Sequence, residues 1–239
     1  MKQRGGFSFL PIGIIRSPFK EKFGIPRQAG IVPDARGVLE ILPPFRQEAA
    51  FRGLSEFSHV WILFLFHGNP RAEWKPTVRP PRLGGDRRLG VFATRSGFRP
   101  NPIGMSAVEL TEIRAGGGKL HLHLKGIDLL DGTPVLDLKP YLPYADSIPA
   151  AQGGFAPEPP RTDLAVTFSD EAEAVCLRKE REIPHLRSLL VQMLRMDPRP
   201  AYYARRPKKK VFGFRLYDFD VQWTFLDDGI RILNLKEPA

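Results

Sequence analysis

The chain has 239 residues, 42% of them hydrophobic, with 36 Lys and Arg against 26 Asp and Glu and a net charge of +10. Its one cysteine, Cys176, excludes internal disulfides and a cysteine-built metal cluster, and fits a reducing, cytoplasmic compartment. The longest apolar run, Val60–Phe66, is seven residues, too short to cross a bilayer as a helix, and the cationic excess suits a polyanionic partner.

In chain order, Lys2 and Arg4 before Phe7–Ile15 mimic a signal peptide. Pro11 and Gly13 interrupt that run and no small-residue cleavage site follows, so a strand over 7–16 is expected. Further strands are predicted over 37–42, 59–66, 89–94, 105–113, 120–126 and 135–138. Gly116-Gly117-Gly118 separates two of them as a hairpin turn. Leu120, Leu122 and Leu124 alternate with His121 and His123, which puts one apolar face on that strand. No Cys, third His or carboxylate motif joins the two histidines, so they read as solvated strand residues and no metal site is expected. Without helices between the strands, the pattern fits an antiparallel β-barrel.

Residues 152–160, Gln-Gly-Gly-Phe-Ala-Pro-Glu-Pro-Pro, read as a linker. Beyond it, Ser169 can cap a helix with Asp170 and Glu171 in its first turn. Pro184 can open a second helix, with Leu186, Leu189, Leu190, Met193 and Leu194 on one side and Asp197-Pro198 ending it. A strand over 215–225 would carry Tyr217, Phe219, Val221, Trp223 and Phe225 on one face. Asp228-Gly229 would then turn the chain into a last strand over 230–235. The fold class is thus mainly β: an N-terminal barrel over 1–151 and a small α+β domain over 161–239.

The segment with the most chemistry is Phe92–Gly104, Phe-Ala-Thr-Arg-Ser-Gly-Phe-Arg-Pro-Asn-Pro-Ile-Gly. Pro100 and Pro102 stiffen it and bias Arg99 and Asn101 to extended conformations, so polar side chains can be held at small entropic cost. It closes a cluster of eight cations between Arg71 and Arg99, opposed by Glu73 and Asp86. A second cluster of eight lies between Arg195 and Arg215, opposed by Asp197, with Tyr202 and Tyr203 as stacking platforms for unpaired bases. Asp128 and Asp131 precede a tight Gly132-Thr133-Pro134 turn, a loop suited to a ribose or a cation. His67 ends the apolar strand at a barrel rim. There is no phosphate loop, no glycine-rich dinucleotide fingerprint and no nucleophile elbow. On these residues alone, the chain is a basic barrel with polar loops, and no reaction can be named.

The chain resembles the TsaA-like, or TrmO-type, β-barrel tRNA methyltransferases. The resemblance rests on Ile14–Phe23, Pro26-Arg27-Gln28, Phe57–Phe64 through His67, Pro80–Gly85, Phe92–Gly104, Asp128–Pro134 with Lys139–Pro143, and Asp197–Tyr202. It implies an S-adenosylmethionine-dependent enzyme that methylates N6 of a threonylcarbamoyl-modified adenosine beside the tRNA anticodon. By resemblance, Gln28, Ala29, Gly30, His67, Gly68, Arg95, Met105, Asp131, Gly132, Thr133 and Pro134 hold the cofactor. Arg99, Asn101 and Tyr141 are cast as substrate-positioning residues. Arg199, Tyr202, Lys208, Lys209 and Lys210 are cast as RNA contacts. The family also implies a homodimer, with S-adenosylmethionine and tRNA as partners and no membrane. A non-catalytic RNA-binding barrel is the competing reading.

Overall fold

A computed structural model describes residues 7–68, 73–160, 164–199, 211–226 and 229–236. Alternation of apolar residues builds its larger part. β1 (Gly13–Arg16), β2 (Arg36–Ile41) and β3 (His59–Leu65) are followed by the short β4 (Thr77–Val78) and β5 (Leu89–Gly90), which pair only with each other. β6 (Ile103–Gly116), β7 (Lys119–Lys125) and β8 (Pro134–Pro140) complete a closed barrel in the order β1-β2-β7-β6-β3-β8, antiparallel throughout. Val60, Ile62 and Phe64 of β3 and Leu120, Leu122 and Leu124 of β7 point inward and are buried, as a period of two requires. Gly104 cannot carry a side chain there: a Cβ would lie 2.3 Å from Phe64 Cζ.

After α1 (Pro143–Asp146), the second region holds β9 (Ala165–Phe168), α2 (Asp170–Lys179), α3 (Leu186–Arg195), β10 (Val211–Leu216), β11 (Phe219–Leu226) and β12 (Gly229–Lys236). Its sheet runs β10-β11-β12-β9, with only the β12–β9 pair parallel. Ser169 caps α2, its hydroxyl accepting from the Ala172 N–H at 3.1 Å. α3 lays Leu186, Leu189, Leu190, Met193 and Leu194 into the core, where Trp223 stacks on Phe212 with ring centroids 4.7 Å apart. Cys176 is buried on α2, and burial pushes its thiol up to about 11, so it is not a nucleophile at neutral pH.

The two regions touch at several points. The Tyr217 N–H donates to the Pro18 carbonyl at 2.7 Å, and Phe19 bridges to Leu216. The Asp34 carboxylate accepts from the Ser188 hydroxyl and the Gln192 amide at 2.5 and 2.7 Å. No helix among the described residues is long and apolar enough to cross a membrane.

Several expectations are corrected. The first strand starts at Gly13, and Phe7, Phe9 and Leu10 are exposed. The strand expected over 89–94 stops at Gly90, where a tight turn over Val91–Ala93 begins. The single strand expected over 215–225 is a hairpin: Tyr217 takes a left-handed φ of 52° to turn the chain, held by its bond to Pro18. The second helix begins at Leu186, after His185 in a left-handed conformation. β9 was not expected, because its four residues gain their order from pairing with β12. His121 and His123 are half-buried rather than solvated, and burial lowers the His123 pKa.

Candidate active site at one mouth of the barrel

In this barrel β1, β3 and β7 end, and β2, β6 and β8 begin, at the same mouth. Three connections therefore meet there, covering 17–35, 66–102 and 126–133. They contain most of the polar residues singled out in the sequence.

Asp128 is their junction. Its carboxylate accepts from the Ser106 hydroxyl at 2.7 Å, and the peptide N–H groups of Asp128 itself and of Ala29 lie close enough to favour its charged form. Burial pushes its pKa above the ordinary carboxylate range, while Ser106, Ala29 and the charge of Arg95 pull the other way. Next to it, Arg95 donates to the Gln28 Oε1 at 2.5 Å, and the Gly30 N–H donates to the Gly126 carbonyl at 2.8 Å. Gly30 has φ of 78°, and a Cβ built there would meet nothing within 4 Å, so its outer side is open. His67 lies across from Gly132, with Nε2 3.9 Å from where a Gly132 Cβ would stand. Gly132 and Thr133 lock the neighbouring turn: the Gly132 N–H donates to the Ile15 carbonyl, and the Thr133 carbonyl accepts from the Ile15 N–H. Pro134 opens β8 directly after them. Gly68 abuts Lys22, whose Cε is 2.6 Å from where a Gly68 Cβ would stand.

Other residues sit differently from expectation. Asp131 is not a free anchor. Its Oδ1 accepts from the Ser17 N–H at 2.8 Å and its Oδ2 pairs with Lys20 Nζ at 2.8 Å, so it clamps the end of β1. Met105 alternates with the inward Gly104 and Ser106, so its side chain lies on the outer wall and is 54% exposed. Arg99 braces the loop from within, donating to the carbonyls of Val91 and Thr94 at 3.2 and 2.8 Å and lying over the Phe92 ring. Asn101 is exposed, two residues before the start of β6. Tyr141 is at the opposite mouth: its N–H donates to the His59 carbonyl and its ring packs on Trp61. The length of β8 separates it from Pro134, about 20 Å at the usual rise of a strand. Within one chain, the fold does not bring it to the site.

Beyond the mouth lies a cleft of about 1630 Å³. Gln28, Arg27 and Arg95 form its barrel side, Lys75, Arg79, Arg82 and Arg88 a second wall, and Arg199 the far side. Seven cations face Glu158 and Asp197, and Asp197 is held by Arg199 through two bonds of 2.8 Å. Tyr202, Lys208, Lys209 and Lys210 lie outside the described residues. Asp128 was singled out in its loop but not assigned to the cofactor, and Ser106 was not singled out at all. The hint in the sequence is a serine on an inward-facing position of an otherwise apolar strand, which needs a buried polar partner.

Residues 14–147 match the family model for the tRNA-methyltransferase O N-terminal domain, and residues 161–238 the model for the TrmO C-terminal domain. The chain belongs to the TrmO family. An Escherichia coli K12 protein named tRNA (adenine(37)-N6)-methyltransferase is 49% identical over 230 residues, covering 96% of this chain and 98% of the relative. A Pseudomonas aeruginosa relative, provisionally named an S-adenosylmethionine-dependent methyltransferase, is 50% identical over 95% of this chain and 97% of its own. The crystal structure of TrmO from Pseudomonas aeruginosa superposes with a TM-score of 0.80 at 45% identity, covering 97% of this chain and 98% of that one. The TrmO assignment thus spans the barrel and the α+β region together.

Proposed function

We propose that this TrmO-family protein transfers a methyl group from S-adenosylmethionine to N6 of the threonylcarbamoyl-modified adenosine at tRNA position 37. The observation that carries the reading is the continuity of mouth and cleft: Gln28 and Arg95 belong to the Asp128 junction and also line the cationic cleft. A polyanion lying in the cleft presents its bases to the mouth, where position and alignment are what methyl transfer requires.

The mouth suits a sulfonium nucleoside. Asp128 offers a negative charge that Ser106 holds in place, and the open side of Gly30 leaves room for a ligand against backbone. When bound, the cofactor supplies an electrophilic methyl group. Gln28, Ala29, Gly30, Arg95, His67 and the Gly132–Pro134 turn would hold it, with Gly68 and Met105 contributing from the rim. Arg99 sets the shape of the loop that delivers Arg95, and the exposed Asn101 is assigned to meet RNA. We assign residues 1–151 to the methyltransferase barrel and 161–239 to tRNA recognition, with Arg199, Tyr202 and Lys208–Lys210 as its contacts. Exposed Ile103 and Met105 on the outer wall favour a homodimer. The single cysteine fits a cytoplasmic enzyme.

The test is direct. Purified protein, S-adenosylmethionine and tRNA carrying threonylcarbamoyladenosine are incubated, and the nucleosides are analysed by mass spectrometry. Methylated threonylcarbamoyladenosine is expected; cofactor binding without any methylated nucleoside would overturn the reading in favour of a binding module. A second outcome follows from Arg99. Both carbonyls accept from one guanidinium nitrogen, Nη1, and alanine has no donor to replace it. Arg99→Ala therefore loosens the turn that carries Arg95, and cofactor affinity falls roughly tenfold for each 1.4 kcal/mol lost. Unchanged affinity in calorimetry would return Arg99 to a role in RNA contact alone.

A further inference from the structure

The two carboxylates of the 126–133 connection differ in one respect that matters for a charged ligand. Asp131 is neutralised by Lys20 at 2.8 Å. Asp128 has no ion-pair partner among the described residues: its carboxylate accepts from the Ser106 hydroxyl, and the nearby peptide N–H groups of Asp128 and Ala29 are likewise neutral. Arg95 is the cation whose field reaches it, but the Arg95 guanidinium donates to the neutral Gln28 Oε1. Ser106 fixes Asp128 from the barrel wall. A largely desolvated carboxylate held this way has a poor alternative in water and gains from any cation that enters the mouth.

We propose that Asp128 makes the pocket selective for charge at the cofactor's sulfur, favouring the sulfonium donor over the neutral thioether product. This rests on the cofactor reading above. S-adenosylmethionine and S-adenosylhomocysteine share their adenosine, amino and carboxylate groups. The ratio of their dissociation constants therefore cancels interactions with those groups and isolates the sulfonium charge. A carboxylate that merely shapes the loop weakens both ligands alike and leaves the ratio alone. A carboxylate that senses charge changes the ratio. Because methyl transfer removes the charge, the same group would help the spent cofactor leave.

Calorimetry with both ligands tests this on the full-length protein, with each variant's fold checked by thermal melting. Asp128→Asn keeps the shape and removes the charge. It should move the ratio by about tenfold toward the thioether. Ser106→Ala leaves the charge in place, so the ratio should stay within about twofold even if both affinities fall. Arg95→Gln removes the opposing cation and should move the ratio the other way, toward the sulfonium, which keeps the proposal testable if Asp128→Asn does not fold. An unchanged ratio in Asp128→Asn, or a shift toward the thioether in Arg95→Gln, overturns it. Wild-type protein that binds neither ligand would instead refute the cofactor reading itself.

Discussion

Replacing Arg79, Arg82 and Arg88 together with alanine should weaken tRNA binding by roughly 100- to 1000-fold, from three charge-assisted interactions at about 1.5 kcal/mol each or somewhat less. The three side chains form one wall of the cleft. Arg88 donates to the Thr77 hydroxyl at 3.0 Å and Arg82 to the Glu158 carbonyl, both neutral acceptors. Removing a cation that neutralises a phosphate also flattens the log–log salt dependence of binding by about 0.7–0.9, so the variant's slope should fall by about 2. Cofactor affinity should stay at its wild-type value, because the Gln28–Arg95 bond and the Asp128 junction involve none of the three. Titrations of labelled tRNA at several salt concentrations read both quantities. A triple variant with an unchanged slope would move the RNA footprint off this wall and onto the basic stretch beyond Arg195.

The barrel was legible because its strands alternate. Val60, Ile62 and Phe64, and Leu120, Leu122 and Leu124, declare an inner face whatever they pair with. The capped helix at Ser169 and the apolar stripe of α3 were legible for the same local reason. What could not be read was decided by partners distant in the chain. Tyr217 turns because Pro18, near the other end of the sequence, supplies the acceptor for its N–H. β9 exists because β12 lies beside it. At the site, the motifs marked the right loops but not the jobs within them. Arg99 and Arg95 are indistinguishable as letters in one Pro-rich segment, yet one braces the loop and the other faces Gln28. Asp128 and Asp131 sit three residues apart, and only barrel closure determines that one meets Ser106 and the other Ser17. Tyr141 lies within the matching Lys139–Pro143 segment, and strand register carries it to the far mouth.

Asp131→Ala is expected to cost stability first and cofactor affinity as a consequence. The carboxylate receives the Ser17 N–H at 2.8 Å and Lys20 at 2.8 Å. Losing the charged acceptor leaves the Ser17 N–H without its partner, a loss of about 1.5–3 kcal/mol. The Lys20 pair adds little, since both side chains keep solvent access, and exposed pairs contribute about 0–1 kcal/mol. For a chain of this size about 2 kcal/mol corresponds to a drop in Tm of about 4–8 °C. The affected backbone is the one that holds Gly132 against Ile15, so the turn facing His67 loosens and cofactor affinity falls with it. Lys20→Ala separates this clamp from a direct anchor. With Asp131 acting as a clamp, Lys20→Ala leaves the Ser17 bond intact, and both Tm and cofactor affinity should change little. With Asp131 acting as the cofactor's own anchor, removing Lys20 frees the carboxylate, and affinity for the cationic ligand should rise. Thermal melting and calorimetry on the two variants decide between them, and tighter binding by Lys20→Ala would restore Asp131 as the anchor.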